Sequence, residues 1–103
     1  LEAQAMGCPV IVSDTGPGRE VALTEPDAAR GDTTGLRVPY ADPAKLADAL
    51  DALLNGHDDD RRAKGERAAR HVRANFTLDR LTSATLAVYD RVLARRAAAL
   101  AQA

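Results

Sequence analysis

Aromatic side chains are nearly missing from this sequence. Of 103 residues, only Tyr40, Phe76 and Tyr89 carry an aromatic ring and none is tryptophan, so any core must be built from Leu, Val and Ala. Cysteine is almost absent too. The single Cys8 excludes an internal disulfide and a thiolate metal site, and is compatible with a cytoplasmic compartment. There is no surplus of positive charge: 14 basic and 15 acidic side chains leave a net charge of −1. That balance argues against a nucleic-acid partner, which usually meets an excess of Lys and Arg. No apolar run approaches the roughly 18 residues that a membrane-crossing helix needs, and no signal-peptide pattern is visible.

What is present fits a folded chain. Apolar residues make up 46% and charged residues 28%, a balance unlike that of a disordered tail. A chain of 103 residues suits one small domain or part of one. It opens at Leu1, inside the helical pattern Leu1-Glu2-Ala3-Gln4-Ala5-Met6, with no cap or start signal ahead of it. It therefore reads as a fragment or a processed product.

Along the chain, the opening helix stops at Gly7, a residue suited to a left-handed C-terminal cap. Pro9-Val10-Ile11-Val12-Ser13 reads as a short buried parallel strand. Thr15-Gly16-Pro17-Gly18 reads as a turn or loop, with a short helical turn at Arg19 to Leu23 and a polar surface loop from Thr24 to Thr34. Leu36 to Pro39 is a second strand. Asp42-Pro43 opens a helix as N-cap and first helical residue. Leu46, Ala49, Leu50, Leu53 and Leu54 form its apolar stripe, and Asn55-Gly56 close it. The next helix has Asp58, Asp59 and Asp60 at its start and basic residues up to Arg73, matching the helix dipole. Phe76 ends it, and Thr77 caps the last helix, which carries Leu78, Leu81, Thr85, Val88, Tyr89 and Val92 on one face. The Ala-rich end from Arg95 is expected to fray unless it docks on something. The pattern is the closing half of an open α/β sheet whose remaining strands are expected upstream.

Most candidate chemistry here has a plain structural reading. His57 beside three aspartates suggests a metal site, but Asp at a helix start ordinarily caps, and no metal is expected. The basic stretch Arg61, Arg62, Lys64, Arg67, Arg70 and Arg73 reads as a solvated face, and His71 as exposed or interdomain. Cys8 reads as an inert packing residue without a base to activate it. Glu20 reads as a local cap or pair. Glu2, on an Ala-rich helix, would by itself be a solvated carboxylate, and Gly16-Pro17-Gly18 an ordinary turn.

The order of short motifs changes the reading of Glu2. The segment from Leu1 to Ser13 resembles the "LEAMA-x-G-x-PVI-x-S" element of family 4-type glycosyltransferases of the GT-B fold. Ser13 to Val21 is similar to the "S-x-x-GG-x-x-EVV" element that follows it, with Pro17 and Arg19 as departures. Gly35 to Leu46 is similar to "G-x-LVP-x-x-DP-x-x-LA", after what looks like an insertion at Thr24 to Arg30. Phe76-Thr77 and Tyr89 match the "FT…VY" ending. The resemblance covers nearly the whole chain.

It implies that residues 1–103 are part of a Rossmann-like, nucleotide-sugar-binding C-terminal domain, with the N-terminal domain absent. The parent would be a retaining enzyme that moves a hexose from a nucleoside diphosphate sugar to an acceptor hydroxyl, on a sugar or a lipid-linked acceptor held by the N-terminal domain. Glu2 matches the second Glu of the family's Glu-x7-Glu motif, which accepts hydrogen bonds from the ribose hydroxyls. Gly16 is the other donor-side candidate. No catalytic residue is expected within the chain: the first Glu would lie eight residues upstream, and the Arg and Lys that neutralise the diphosphate earlier still. The resemblance further implies no cofactor or metal, a cytoplasmic or peripheral inner-membrane location, and a C-terminal helix that crosses to the N-terminal domain. The alternative is a non-catalytic interaction module that kept the fold. A generic dinucleotide-binding domain would need a strand–Gly-x-Gly-x-x-Gly–helix unit, which the sequence lacks.

Overall fold

The computed structural model describes residues 1–102. A single turn of helix, α1 (Glu2–Ala5), leads into β1 (Val10–Ser13). Gly7 between them sits at φ +82°, the left-handed position expected of it. A short helix α2 (Gly16–Val21) and a 3-10 turn (Arg30–Asp32) then carry the chain over to β2 (Gly35–Val38). The two strands pair in parallel, Val10 opposite Gly35 and Ser13 opposite Val38. The Asp14 amide donates to the Val38 carbonyl at 2.7 Å and extends the ladder one step. Three helices follow: α3 (Pro43–Leu54), α4 (Asp58–Asn75) and α5 (Leu78–Ala101).

The helix boundaries show local chemistry. Asp42 Oδ1 accepts from the Lys45 amide at 3.0 Å and Pro43 takes the first turn of α3. Thr77 Oγ1 accepts from the Arg80 amide at 3.1 Å at the start of α5. Three aspartates fill the first turn of α4 and Arg73 its last, as the dipole favours. Gly16-Pro17-Gly18 departs from expectation: it is the first turn of α2 rather than a loop. Pro is tolerated there because the amide it lacks would have no helical partner in any case.

The core is small. Ala22, Val38, Ala49, Ala68, Ala69 and Val72 are its buried apolar residues, and Gln4, Thr24, Thr33 and Thr34 are buried with them. α3 lies against both strands and α1 against α4. Gly65 allows the second of these contacts, because a Cβ there would overlap the Gly7 carbonyl oxygen.

Several sequence expectations about burial fail for one physical reason: a sheet of two strands and one partial helical layer cannot cover the apolar surface the sequence carries. Val10, Ile11 and Val12 are half-buried rather than enclosed on both faces. Of the α3 stripe only Ala49 is buried, while Leu46, Leu50 and Leu54 are exposed. Cys8, in the turn after α1, is exposed rather than a packing residue. His71 is half-buried, its ring edge against Phe76 at a centroid distance of 5.5 Å. α5 buries none of its residues and is helical through Ala101; the alanines there are the best helix formers.

Candidate functional site

Glu2 lies in the first and only turn of α1, exposed to solvent. Among the described residues no Lys, Arg or His reaches its carboxylate to form an ion pair, so both oxygens are free to accept. Two residues on, Gln4 points the other way, since i and i+2 lie on different sides of a helix. Gln4 is fully buried. Its Nε2 donates to the Val21 carbonyl at 2.8 Å and its Oε1 accepts from the Thr34 hydroxyl at 2.9 Å. Thr34 Oγ1 in turn accepts from the Leu23 amide at 3.0 Å, and the Thr34 amide donates to the Leu23 carbonyl at 2.8 Å. These polar groups are satisfied together, and α1 is fastened to the end of α2 and to the residue that precedes β2. The single turn that carries Glu2 has a fixed orientation for that reason.

Gly16 opens α2 just beyond the carboxyl end of β1. A Cβ added to it would meet nothing within 4 Å, so its backbone is open to approach. Gly18, two residues later, is the tightly packed one: a Cβ there would overlap the Ser13 carbonyl oxygen. Among the described residues no hydrogen bond links Glu2 to Gly16. Glu20 is exposed on α2 and, among the described residues, forms no ion pair.

A chain of charges flanks the strand ends. Arg37, on β2, has a side chain only 12% exposed and pairs with Asp14 at 3.5 Å and with Asp27 at 2.9 Å. Arg19 of α2 meets the same Asp27 at 3.3 Å. The hydrogen bond from Arg19, aided by the positive charge of both arginines, holds the Asp27 carboxyl below the usual carboxylate range. The Thr24–Thr34 segment is therefore no free surface loop. Asp27 ties its middle to both flanking elements, Thr33 donates to the Arg30 carbonyl, and Arg67 Nε of α4 donates to the Thr33 carbonyl at 2.9 Å.

The basic stretch of α4 is accordingly only partly a solvated face. Arg61 pairs with Asp58 and donates to the carbonyls of Leu53 and Leu54 at 3.1 and 3.2 Å, closing the C-terminus of α3. Among the described residues, no group of three metal-ligating side chains comes together, at His57 or elsewhere. Nor is any described helix long and apolar enough to cross a membrane.

Sequence reasoning missed Gln4, Thr34 and Gly65. The "LEAMA" element that the first residues resemble has Met where this chain has Gln4, and that exchange was the one signal available. No solved structure matches the chain. Curated relatives do. Over 97 residues the chain is 39% identical to a D-inositol 3-phosphate glycosyltransferase of Xylanimonas cellulosilytica, covering 94% of this chain and 21% of that protein. Over 94 residues it is 37% identical to the lipopolysaccharide core biosynthesis mannosyltransferase LpcC of Rhizobium leguminosarum bv. viciae, covering 90% of this chain and 24% of that protein. The chain thus spans about a fifth to a quarter of the length of these relatives. Residues 1–56, which hold α1, both strands and α3, match the family model for glycosyl transferases group 1. With the α/β arrangement on which Glu2 and Gly16 are mounted, that match places the chain in the group 1 glycosyl transferases.

Proposed function

We propose that residues 1–103 form the closing part of the nucleotide-sugar-binding domain of a GT-B glycosyltransferase. The longer protein would move a hexose from a nucleoside diphosphate sugar to an acceptor hydroxyl with retention of configuration. The acceptor would be a sugar or a lipid-linked molecule bound by a second, N-terminal domain. The observation that carries the reading is the free carboxylate of Glu2 within the residues that match the family. The relatives' names, a mannosyltransferase and a D-inositol 3-phosphate glycosyltransferase, support hexose transfer.

The part assigned to this chain is donor binding rather than chemistry. An ionised carboxylate has two acceptor oxygens and takes the two vicinal ribose hydroxyls as a pair. Gln4 keeps α1 from rotating, so the hydroxyls meet a preset acceptor and little ordering entropy is lost. Gly16 has a lesser part, offering open backbone near the carboxyl end of β1, where parallel sheets take their ligands. The leaving diphosphate would be neutralised by basic side chains supplied from elsewhere in the longer protein, without a metal. The reaction would proceed in the cytoplasm, with a peripheral place at the inner membrane face where the acceptor is lipid-linked.

Calorimetry of nucleoside diphosphate binding to the longer protein tests this. Changing Glu2→Ala removes charge-assisted hydrogen bonds of about 1.5–3 kcal/mol and is expected to weaken binding roughly 10- to 150-fold. Unchanged affinity would remove Glu2 from the donor site.

A further inference from the structure

A concave surface lies away from the residues assigned to the donor. The 24–34 segment, the end of α3 and the first half of α4 enclose a groove of ≈ 620 Å³. Leu36, at the start of β2, and Leu53, near the end of α3, form its apolar floor. The groove therefore opens at the amino end of the sheet. Gly16 lies beyond the opposite, carboxyl end, a strand length of about 10 Å away.

Three cations line this groove without a carboxylate partner. Arg67 is half-buried, and its Nε is held by the Thr33 carbonyl. The two terminal nitrogens of its guanidinium form no hydrogen bond among the described residues, so a planar fork stands ready in a fixed orientation. Lys64 lies one turn earlier on the same face of α4, half-buried, with no ion pair among the described residues. Arg30 approaches from the 3-10 turn on the other wall and is likewise unpaired among the described residues. Partial burial and the neighbouring positive charge of Arg67 push the Lys64 ammonium below the usual lysine range. Glu25 and Asp60 also line the groove and offset part of the positive charge felt at Lys64, but among the described residues neither forms an ion pair with these three cations. Like charges gathered in a partly desolvated groove repel one another unless an anion lies between them. A rigid guanidinium fork beside a compact ammonium suits the oxygens of a phosphate group.

We propose that this groove is a binding site for a small, soluble phosphorylated molecule, its phosphate seated between Lys64, Arg67 and Arg30 and its organic part on Leu36 and Leu53. The concave shape, walled on both sides, favours a small solute over a flat lipid surface. Inorganic phosphate is the probe, titrated at constant ionic strength while amide resonances are followed by NMR. Saturable shifts are expected at residues 30–33 and 60–67. Lys64→Gln, which removes a half-buried charge and no hydrogen bond, is expected to weaken them by about 10-fold, as the loss of a charged partner does. Arg30→Gln, on the surface, is expected to act in the same direction, and Glu2→Ala to leave phosphate binding unchanged. Shifts that never saturate, shifts spread over all the basic residues, or equal affinity in the Lys64→Gln variant would each overturn the site. So would co-sedimentation with phosphatidylglycerol vesicles in the absence of any response to free phosphate.

Discussion

Gln4 and Glu2 sit on one turn of helix and do opposite work. The Gln4 amide is fully buried and joins three segments of the chain, whereas the Glu2 carboxylate is exposed and, among the described residues, in no ion pair. Replacing Gln4→Ala takes the donor from the Val21 carbonyl and the acceptor from the Thr34 hydroxyl proton, though Thr34 Oγ1 still accepts from the Leu23 amide. A buried polar group left without a partner costs about 1–3 kcal/mol, so the variant is expected to lose at least about 2 kcal/mol in urea denaturation. Glu2→Ala is expected to stay within about 0.5 kcal/mol, as surface changes do. Equal stability of Gln4→Ala and the parent chain would show that the network merely fills space. Only Glu2 was legible in the sequence, because a motif flags a residue type at a fixed spacing. The partners of Gln4 lie 17 and 30 positions away, and nothing local in an Ala-rich helix distinguishes an inward Gln from a solvated one. Lys64, Arg67 and Arg30 were hidden for the same reason: a basic run reads as a solvated face until a distant segment folds over it.

Among the elements, those with chemical punctuation were readable. The Asp42-Pro43 and Thr77 caps lie within three residues of the amides they serve, and sequence displays such short-range bonds directly. α2 was displaced because Gly-Pro-Gly satisfies the rules for a turn as well as those for a first helical turn. The contact of α4 with α1 was not readable at all, since it depends on where Gly65 meets the Gly7 carbonyl. Gly65 lies inside a helix of 18 residues, where Gly→Ala ordinarily gains about 1 kcal/mol. Here the added methyl would strike backbone of the neighbouring turn, and overpacking of that sort costs about 1–3 kcal/mol. The second effect is expected to win: Gly65→Ala lowers the thermal midpoint. Gly31→Ala, with nothing within 4 Å of the new methyl, is expected to leave it nearly unchanged. A rise in the midpoint for Gly65→Ala would mean that α1 and α4 part easily.

At the scale of the whole molecule, the dominant feature is apolar surface with nothing on it. The chain extends 64 Å along its longest axis, and α5 with its 24 residues accounts for about 36 Å at 1.5 Å per residue. Leu81, Val88, Tyr89 and Val92, which the sequence placed on one packing face, are all exposed, and so are Leu78, Leu86, Leu93 and Leu100. A helix of this composition holds its shape through alanine propensity and its Thr77 cap, but propensity alone leaves its end only marginally stable. The same shortage of cover exposes Leu46, Leu50 and Leu54 on α3. Relatives four to five times longer have the chain length to supply it. If the proposed function holds, the residues beyond Val92 pack on the N-terminal domain of the longer protein. Burial of each leucine there would contribute about 1.5–3 kcal/mol, enough to turn a fraying end into a protected one. Hydrogen exchange on both forms is expected to show fast exchange of the last ten amides in the 103-residue chain and strong protection in the longer protein. Equal, strong protection in both would mean that α5 is stable without a second domain, and its apolar face would then need a different explanation.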